Sequence, residues 1–289
     1  MKAAVYYETG SPDVLRYEDV ADPVCHASGV VIRVEAVSIE GGDTLNRGGG
    51  QMAGSPHIVG YQAAGEIIEV GADVTHLKVG QKVVTVNAFG SHAELRSVPA
   101  RNAWPIPDGF DILKASAIPV PFGTAHECLF GHGQLKSGET VLIQAGASAL
   151  GIAAIQLARR AGATVLATAS SDERLERLKV FGLDHGINYG REGSLGYRGR
   201  VSLVGNAGRE PMMVDVSSLM GGNRRLSGVF LGAEIMTDRV HDLIQTLIEE
   251  AARGELTVLI DRTFPLSEAA AAHAYIESRQ AVGRVLLIP

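Results

Sequence analysis

The stretch Glu139-Thr-Val-Leu-Ile-Gln-Ala-Gly-Ala-Ser-Ala-Leu-Gly-Ile-Ala-Ala-Ile-Gln-Leu-Ala158 decides the fold. An apolar strand runs into the small residues Ala145, Gly146, Ala147 and Ser148, passes Leu150 and Gly151, and becomes an alanine-rich helix. A strand, a tight turn without bulky side chains and a helix N-terminus together form a phosphate-binding element. Backbone N–H groups and the positive end of the helix dipole face the anion, and small side chains let it approach. Ala147, Ser148, Leu150 and Gly151 are the candidate contacts. The segment is not a full G-x-G-x-x-G, since Ala147, Ser148 and Ala149 stand where glycines would. Taken alone, a strand, small turn and helix also serve simply as a packing solution in an α/β protein.

Downstream residues extend the pattern. Thr164–Ala169 reads as a second apolar strand, entered through Ala161-Gly162-Ala163, so that strand, helix and strand follow one another as a βαβ unit requires. At the tip of that second strand an NAD site places Asp or Glu on the ribose 2′-hydroxyl. Here the tip is Thr168-Ala169-Ser170-Ser171, with Arg174 one helical turn on. Hydroxyls and a guanidinium suit a 2′-phosphate, so NADP(H) is favoured over NAD(H). Ser171 also reads as the cap of a helix over Asp172–Phe181, a role compatible with phosphate contact at the same N-terminus.

The remainder of the chain has a different rhythm on either side of this unit. Up to about residue 118, short strands (Lys2–Tyr7, Val30–Ser38, Ala64–Val70, Lys82–Asn87, Ser91–Ser97) are separated by Gly, Pro and Asp turns, as in a small antiparallel barrel. Helix and strand then alternate to about Arg253. The tail carries a strand-like Leu256–Asp261, a helix over Leu266–Ser278 opened by Ser267-Glu-Ala-Ala270, and a closing strand Arg284–Ile288. The order predicts a cofactor domain over 119–256, inserted between the two parts (1–118 and 257–289) of a substrate domain.

Composition narrows the function classes. A chain of 289 residues buries a large core, and a net charge of −6 leaves no basic footprint for nucleic acid. The apolar run after Met1 is too short for a signal peptide, and no segment approaches the roughly 20 apolar residues of a membrane helix. Two cysteines far apart in sequence, Cys25 and Cys128, read as free thiols of a cytoplasmic protein.

Several segments carry a resemblance: Met1-Lys-Ala-Ala-Val-Tyr6, Gly60-Tyr-Gln-Ala-Ala-Gly-Glu-Ile-Ile-Glu-Val-Gly71, Val79-Gly-Gln-Lys-Val-Val84, Gly123-Thr-Ala125, Leu135–Ile143 and Gly199–Gly205. With these segments the chain resembles the zinc-independent medium-chain dehydrogenase/reductases of the quinone oxidoreductase (zeta-crystallin-like) type. The resemblance implies an α/β protein: a GroES-like β-barrel domain plus a Rossmann doubly wound parallel sheet. It also implies that Thr124 approaches a nicotinamide, that Gly205 and Asn206 contact its ribose or carboxamide, and that Tyr189 lies by the adenosine 2′-phosphate.

Against the zinc-dependent branch, the cysteine position reads as Glu40 in Ser38-Ile-Glu-Gly-Gly-Asp43, and Gly-His-Glu has become Gly60-Tyr61-Gln62. No metal site is expected. Without a Lewis acid, hydride transfer to a quinone or α,β-unsaturated carbonyl is the favoured chemistry, because conjugation delocalises the developing charge onto oxygen. Glu40, Asp43, Tyr61 and Gln62 are the candidates to line the substrate side; for Asp43, turn or cap chemistry beside Gly41-Gly42 is the competing role. The expected activity is an NADP(H)-dependent quinone or enone reductase acting on a small molecule. A cofactor-binding or non-catalytic homologue and a zinc-free alcohol dehydrogenase are the alternatives.

One departure stands out. The strands Val141–Ala145, Thr164–Ala169, Gly186–Tyr189, Arg200–Gly205 and Arg225–Phe230 number five, where a full doubly wound domain has six. Only the ten residues from Gly190 to Gly199, four of them glycine, separate Tyr189 from Arg200. A parallel crossover normally needs a dozen or more. Ten extended residues still span about 33 Å, so a shortened sheet closing up with five strands is expected. The edge strand Arg225-Leu-Ser-Gly-Val-Phe-Leu231 is then a natural surface for a homodimer.

Overall fold

The computed structural model describes residues 1–188, 199–205 and 216–289. In chain order it runs β1 (Lys2–Tyr6), β2 (Arg16–Asp19), β3 (Gly29–Ser38), α1 (Gly41–Gly49), β4 (His57–Ile58), β5 (Gln62–Val70), β6 (Lys82–Val86), β7 (Leu95–Pro99) and β8 (Ala103–Pro105). There follow α2 (Ile112–Ala115), α3 (Pro119–His126), β9 (Thr140–Ile143), α4 (Ala149–Arg160), β10 (Thr164–Ala169), α5 (Asp172–Leu178) and β11 (His185–Asn188). The rest comprises β12 (Arg200–Leu203), α6 (Val216–Met220), β13 (Arg225–Gly228), α7 (Leu231–Glu234), α8 (Asp238–Ala252), β14 (Ile260–Pro265), α9 (Ala269–Glu277) and β15 (Arg284–Ile288). Two compact units result, Met1–Val120 with Met236–Pro289, and Pro121–Ile235.

In the first unit a seven-stranded sheet has the order β14-β15-β3-β5-β6-β8, with β7 also on β3. Strand β3, Gly-Val-Val-Ile-Arg-Val-Glu-Ala-Val-Ser, is buried along nearly its whole length. It serves three neighbours: β5 along its whole length, β7 over Gly29–Arg33 and β15 at Val37–Ser38. Register shifts between Val31 and Ile32 and between Val34 and Ala36 bend it, as bulges do where a sheet curls. A second antiparallel sheet, β2-β1-β4, completes the barrel. The core between them gathers Tyr6, Val30, Ile32, Ile39, Ile67, Val83, Leu266 and Leu287.

Helix α8 belongs to this unit. Its Val240, Ile244, Leu247, Ile248 and Ala251 form one buried stripe at helical spacing. Trp104, the only tryptophan, donates its Nε1–H to the His241 carbonyl at 3.0 Å and stacks on the His241 ring.

The tail differs from expectation in one place: the strand pairing with β15 is Ile260–Pro265, not Leu256–Asp261. Leu256 is buried ahead of it, so its apolar character reflects packing and not a ladder position. Similarly, the strand expected over Ser91–Ser97 begins at Leu95. Ser91 and His92 are buried polar residues in the preceding bend.

In the second unit β11, β10 and β9 form a parallel sheet, with Thr164 opposite Thr140 and Leu166 opposite His185. Helix α4 buries a continuous run from Gly151 to Ala158. Strands β12 and β13 form a separate parallel pair. The five expected strands are therefore present, but they do not close into one sheet: among the described residues no ladder joins β9 to β12. Their link is by side chains, Arg200 Nη2 reaching Glu139 Oε2 at 2.5 Å. An arginine-to-carboxylate reach exceeds the roughly 4.8 Å step of a ladder. In the full strand order 3-2-1-4-5-6, β11, β10 and β9 are strands 3, 2 and 1, and no described strand takes the fourth place. Leu142 of β9 is accordingly 45% exposed, where a central parallel strand is normally covered on both faces.

Candidate active site

In the barrel unit the candidate residues gather around the start of α1. Glu40 precedes the helix, and Asp43, at its third position, accepts the Glu40 N–H at 2.8 Å through Oδ2. The other Asp43 oxygen accepts the Tyr61 N–H at 3.2 Å. Asp43 is 0% exposed, and burial pushes its carboxyl well above the ordinary range, against the opposing pull of the Tyr61 N–H and the Arg96 guanidinium. It is a buried clasp between α1 and the turn before β5, so it does not line a substrate surface.

Glu40 and Gln62 are likewise turned inward. The Gln62 amide donates to Glu40, and the Arg284 guanidinium pairs with the same carboxylate. Arg284 Nη1 also donates to the Ile39 carbonyl at 2.9 Å, and Gln62 Oε1 accepts the Val120 N–H at 3.1 Å, in the first turn of α3. The resemblance sets Glu40 and the Tyr61-Gln62 segment against the metal-holding segments of the zinc-dependent branch. Here Glu40 and Gln62 form an ion-paired amide chain with Arg284. Among the described residues no group of three or more His, Cys, Asp or Glu side chains is arranged to hold a metal.

Tyr61 is the exception among the four. Its ring is only half-buried, and its Oη accepts a hydrogen bond from Asn46 Nδ2 at 3.0 Å. Its backbone is held at both ends: the N–H by Asp43, and the carbonyl by Arg96 Nη2 at 2.8 Å and the Asn87 N–H at 2.8 Å. Arg96 donates as well to Thr85, Gly60 and Phe89, closing the turn that carries Tyr61. Gly60 permits this turn. Its φ is +114°, and a Cβ there would lie 1.8 Å from Ser91 Oγ and 2.3 Å from His92 Nδ1.

Behind the turn lies a buried chain of nitrogens. Arg47 Nε donates to His273 Nδ1 at 3.3 Å, His273 Nε2 meets His92 Nε2 at 3.0 Å, and His92 Nδ1 meets Ser91 Oγ at 3.1 Å. The Arg47 donation fixes the order: His273 carries its proton on Nε2 and donates to His92, whose own proton sits on Nδ1. Burial holds both rings neutral, with His92 pushed down to about 3.

In the second unit the candidate cofactor residues lie at the carboxyl ends of β9 and β10. Ser148 caps α4, its Oγ accepting the Gly151 N–H at 3.0 Å. A Cβ on Gly151 would come within 2.5 Å of the Ala145 carbonyl, so the turn folds tightly only over glycine. Ala147 is buried beneath the turn, Ser148 is exposed and Leu150 half-buried, and the first N–H groups of α4 lack intrahelical partners by geometry. Ser171 caps α5 in the same way, accepting the Arg174 N–H at 3.3 Å, and Ser170 is exposed beside it. Asp172, next in the chain, accepts from Asn188 Nδ2 at 3.0 Å.

Thr168 binds the two turns together: its Oγ1 accepts the Ala145 N–H at 3.2 Å and its carbonyl the Gly146 N–H at 2.8 Å. The two capped helix N-termini, small residues between them and hydroxyls at the tip of β10 fit a dinucleotide with a phosphorylated ribose. Thr124 is half-buried on α3, and Gly205 is exposed after β12. Tyr189 and Asn206 lie outside the described residues.

The structure thus gathers Ala147, Ser148, Leu150 and Gly151 at one helix start and Ser170, Ser171 and Arg174 at the next. It places Glu40, Asp43, Tyr61 and Gln62 together in the barrel. Asn46, Arg96 and Arg284 are residues that the sequence did not single out, and Thr168 entered there only as part of the strand tip. The two buried arginines sit within apolar strands (Leu95-Arg-Ser-Val98, Arg284-Val-Leu-Leu-Ile288), an isolated charge that signals a buried partner.

A curled barrel in one unit and, in the other, a parallel sheet whose first strand turns tightly into a capped helix match the architecture of the nicotinamide-dependent dehydrogenases. A model described as "Alcohol dehydrogenase GroES-like domain" matches residues 26–108, and two described as "Zinc-binding dehydrogenase" match 149–195 and 181–287. An NADPH-dependent alkenal/one oxidoreductase of Arabidopsis thaliana is 30% identical over 308 residues, covering 100% of this chain and 80% of its own. A quinone oxidoreductase of Pseudomonas aeruginosa is 28% identical over 315 residues, covering 97% of each chain. A mycobacterial protein solved in complex with NADPH is similar with a TM-score of 0.92 at 27% identity over 100% of both chains. The chain belongs to the medium-chain dehydrogenase/reductase family, with a GroES-like barrel and a Rossmann domain. The two sequence alignments run longer than its 289 residues, so these relatives carry stretches without a counterpart here.

Proposed function

We propose that this protein is an NADPH-dependent reductase of quinones or α,β-unsaturated carbonyls that works without zinc. The observation that carries it is the pair of capped helix starts bridged by Thr168, with hydroxyls and no carboxylate at the tip of β10. Relatives named for alkenal, enone and quinone reduction support the substrate class.

In this account the second unit, residues 121–235, handles the cofactor, with Ala147, Ser148, Leu150 and Gly151 at the pyrophosphate and Ser170, Ser171, Arg174 and Tyr189 at the 2′-phosphate. Thr124, Gly205 and Asn206 serve the nicotinamide end. The barrel unit, residues 1–120 and 236–289, presents the substrate surface, where Tyr61 faces the substrate and Glu40, Asp43 and Gln62 hold the wall in place. NADPH, when bound, supplies the hydride, and the protein positions the acceptor and keeps its developing oxyanion hydrogen-bonded. Zinc is unnecessary because the Glu40 carboxylate is neutralised by Arg284 and the neighbouring Tyr61 and Gln62 are poor zinc ligands.

The test is NADPH oxidation followed with trans-3-nonen-2-one and with a small 1,4-quinone, each with and without chelator. Turnover that survives the chelator supports the proposal; turnover abolished by it and restored by zinc contradicts zinc independence. A cytoplasmic homodimer is the expected setting, with two free thiols and β13 at the edge of the second unit. Among the described residues no helix is long and apolar enough to cross a membrane.

A second reading, a homologue that has lost catalysis, is favoured by the gap between β9 and β12. Absence of turnover with intact folding would select it.

A further inference from the structure

We infer that the Tyr61 hydroxyl is the group that donates a proton to the reduced substrate, with Gly42 and Asn46 built to hold it for that purpose. The inference rests on the reductase reading above and assigns a role that family membership does not supply, since Tyr61 stands where the zinc-dependent branch has a ligand histidine. Of the four polar side chains placed together in the barrel, Glu40, Asp43 and Gln62 are buried and bonded to protein partners. Tyr61 alone is part-exposed and has a donor to give. Its oxygen accepts from Asn46 Nδ2, which leaves its O–H proton directed elsewhere, and no described residue is recorded as accepting it.

The geometry around the ring is specific. Gly42 and Asn46 lie four residues apart on α1, hence on one face of the helix. The ring lies directly over Gly42: a Cβ there would sit 2.3 Å from Cε2 and 3.0 Å from Oη. Any larger residue at position 42 would lift the ring off the helix and away from Asn46. Asp43 and Arg96 then fix the Tyr61 backbone at its N–H and its carbonyl. A side chain gripped at backbone, ring face and hydroxyl is pre-organised as positioned donors must be. Burial, reinforced by nearby Asp43, raises the phenol above its usual range, while the Asn46 hydrogen bond opposes this. Tyr61 is therefore protonated at neutral pH and in the state a donor requires.

The step balances. A hydride adds to the β-carbon of the enone, and the carbon–carbon π pair moves to give an enolate whose charge lies on oxygen. Tyr61 Oη–H hydrogen-bonds that oxygen as charge develops and transfers its proton to the enolate. The resulting phenolate, stabilised by Asn46 Nδ2–H, recovers a proton from water. The oxidised nicotinamide is the other product.

The experiment uses the full chain with NADPH and trans-3-nonen-2-one. Tyr61→Phe keeps the ring on Gly42 and removes only the hydroxyl, the donor together with the acceptor of Asn46 Nδ2. Turnover is expected to fall by about 10²-fold, the scale for a lost general acid or oxyanion donor, with NADPH affinity unchanged and the solvent isotope effect altered. Gly42→Ala, which leaves the hydroxyl in the chain but displaces it, is expected to lose turnover as well, and Asn46→Ala to lose less. Unimpaired turnover in both Tyr61→Phe and Gly42→Ala overturns the assignment. So does a loss in Tyr61→Phe that arises from weaker NADPH binding alone. A wild-type protein that fails to oxidise NADPH with any enone or quinone refutes the reductase reading itself, a result distinct from failure of the Tyr61 role.

Discussion

Buried polar side chains in this molecule define a few positions tightly, and their removal has calculable consequences. Among the described residues Arg284 is the one cation paired with the buried Glu40 carboxylate. Arg284→Met should cost about 3–5 kcal/mol, the scale for an ion pair broken inside a protein, read as a lower urea midpoint. A loss below about 1 kcal/mol, the surface-pair range, would show the pair to be hydrated. The His92–His273 pair gives a pH dependence of known sign. A folded pKa near 3 for His92, below an unfolded value of 6.5, means that unfolding takes up a proton. The stabilisation is complete above pH 6.5 and is lost as pH falls toward 3. Asp43, raised in the fold, works in the opposite direction. The urea midpoint of the wild type should therefore drop more steeply between pH 7 and 5 than that of His92→Gln; parallel curves would contradict the neutral buried ring. At the cofactor end Arg174→Ala should weaken NADPH by about 1–3 kcal/mol and barely affect NADH. Equal losses for both in titration would mean that Arg174 acts through folding. Ser148 and Ser171 were legible in the sequence because a short polar residue before an apolar helical run has one common meaning. Asn46 was not, because Gly48-Gly-Gly50 disguises the helix end it occupies, and neither was Arg284, whose carboxylate partner lies far away along the chain.

At the scale of elements, the strong periodicities transferred well. β3, β10, β15, α4 and α5 lie within a few residues of where apolar alternation or helical spacing puts them. Weak patterns did not: the start of α1 reads as a turn beside Gly41-Gly42, and Leu256 reads as strand though it serves only packing. The gap beside β9 is the feature whose meaning sequence spacing raised but could not resolve. Ten residues are long enough to cross the sheet, and only the ladders reveal that β9 and β12 do not pair. A strand with one unpaired edge opens locally more easily than a fully laddered one. The amides of Val141–Ile143 and Val201–Leu203 should therefore exchange faster with solvent than those of Ile32–Val37 in the barrel. Hydrogen exchange by mass spectrometry measures this directly, and NADPH should slow exchange in the second unit. Equal protection in both units would show that the gap carries no energetic weight.

For the whole molecule, the barrel unit is a well-laddered body, and the second unit keeps the β11-β10-β9 half of a doubly wound sheet with no described strand in the fourth place. Exposed apolar residues cluster late in that second unit: Val216, Met220 and, at 70% exposure, Phe230 just beyond β13. They are the expected cover for a twofold partner, and light scattering of the dilute protein as a monomer would remove that expectation. The central claim is that the shortened unit still holds its cofactor. Calorimetric titration of the full chain with NADPH and with NADH tests it most directly. Saturable binding of NADPH at one molecule per chain, tighter than NADH, is the predicted result; no saturable binding of either nucleotide would contradict it.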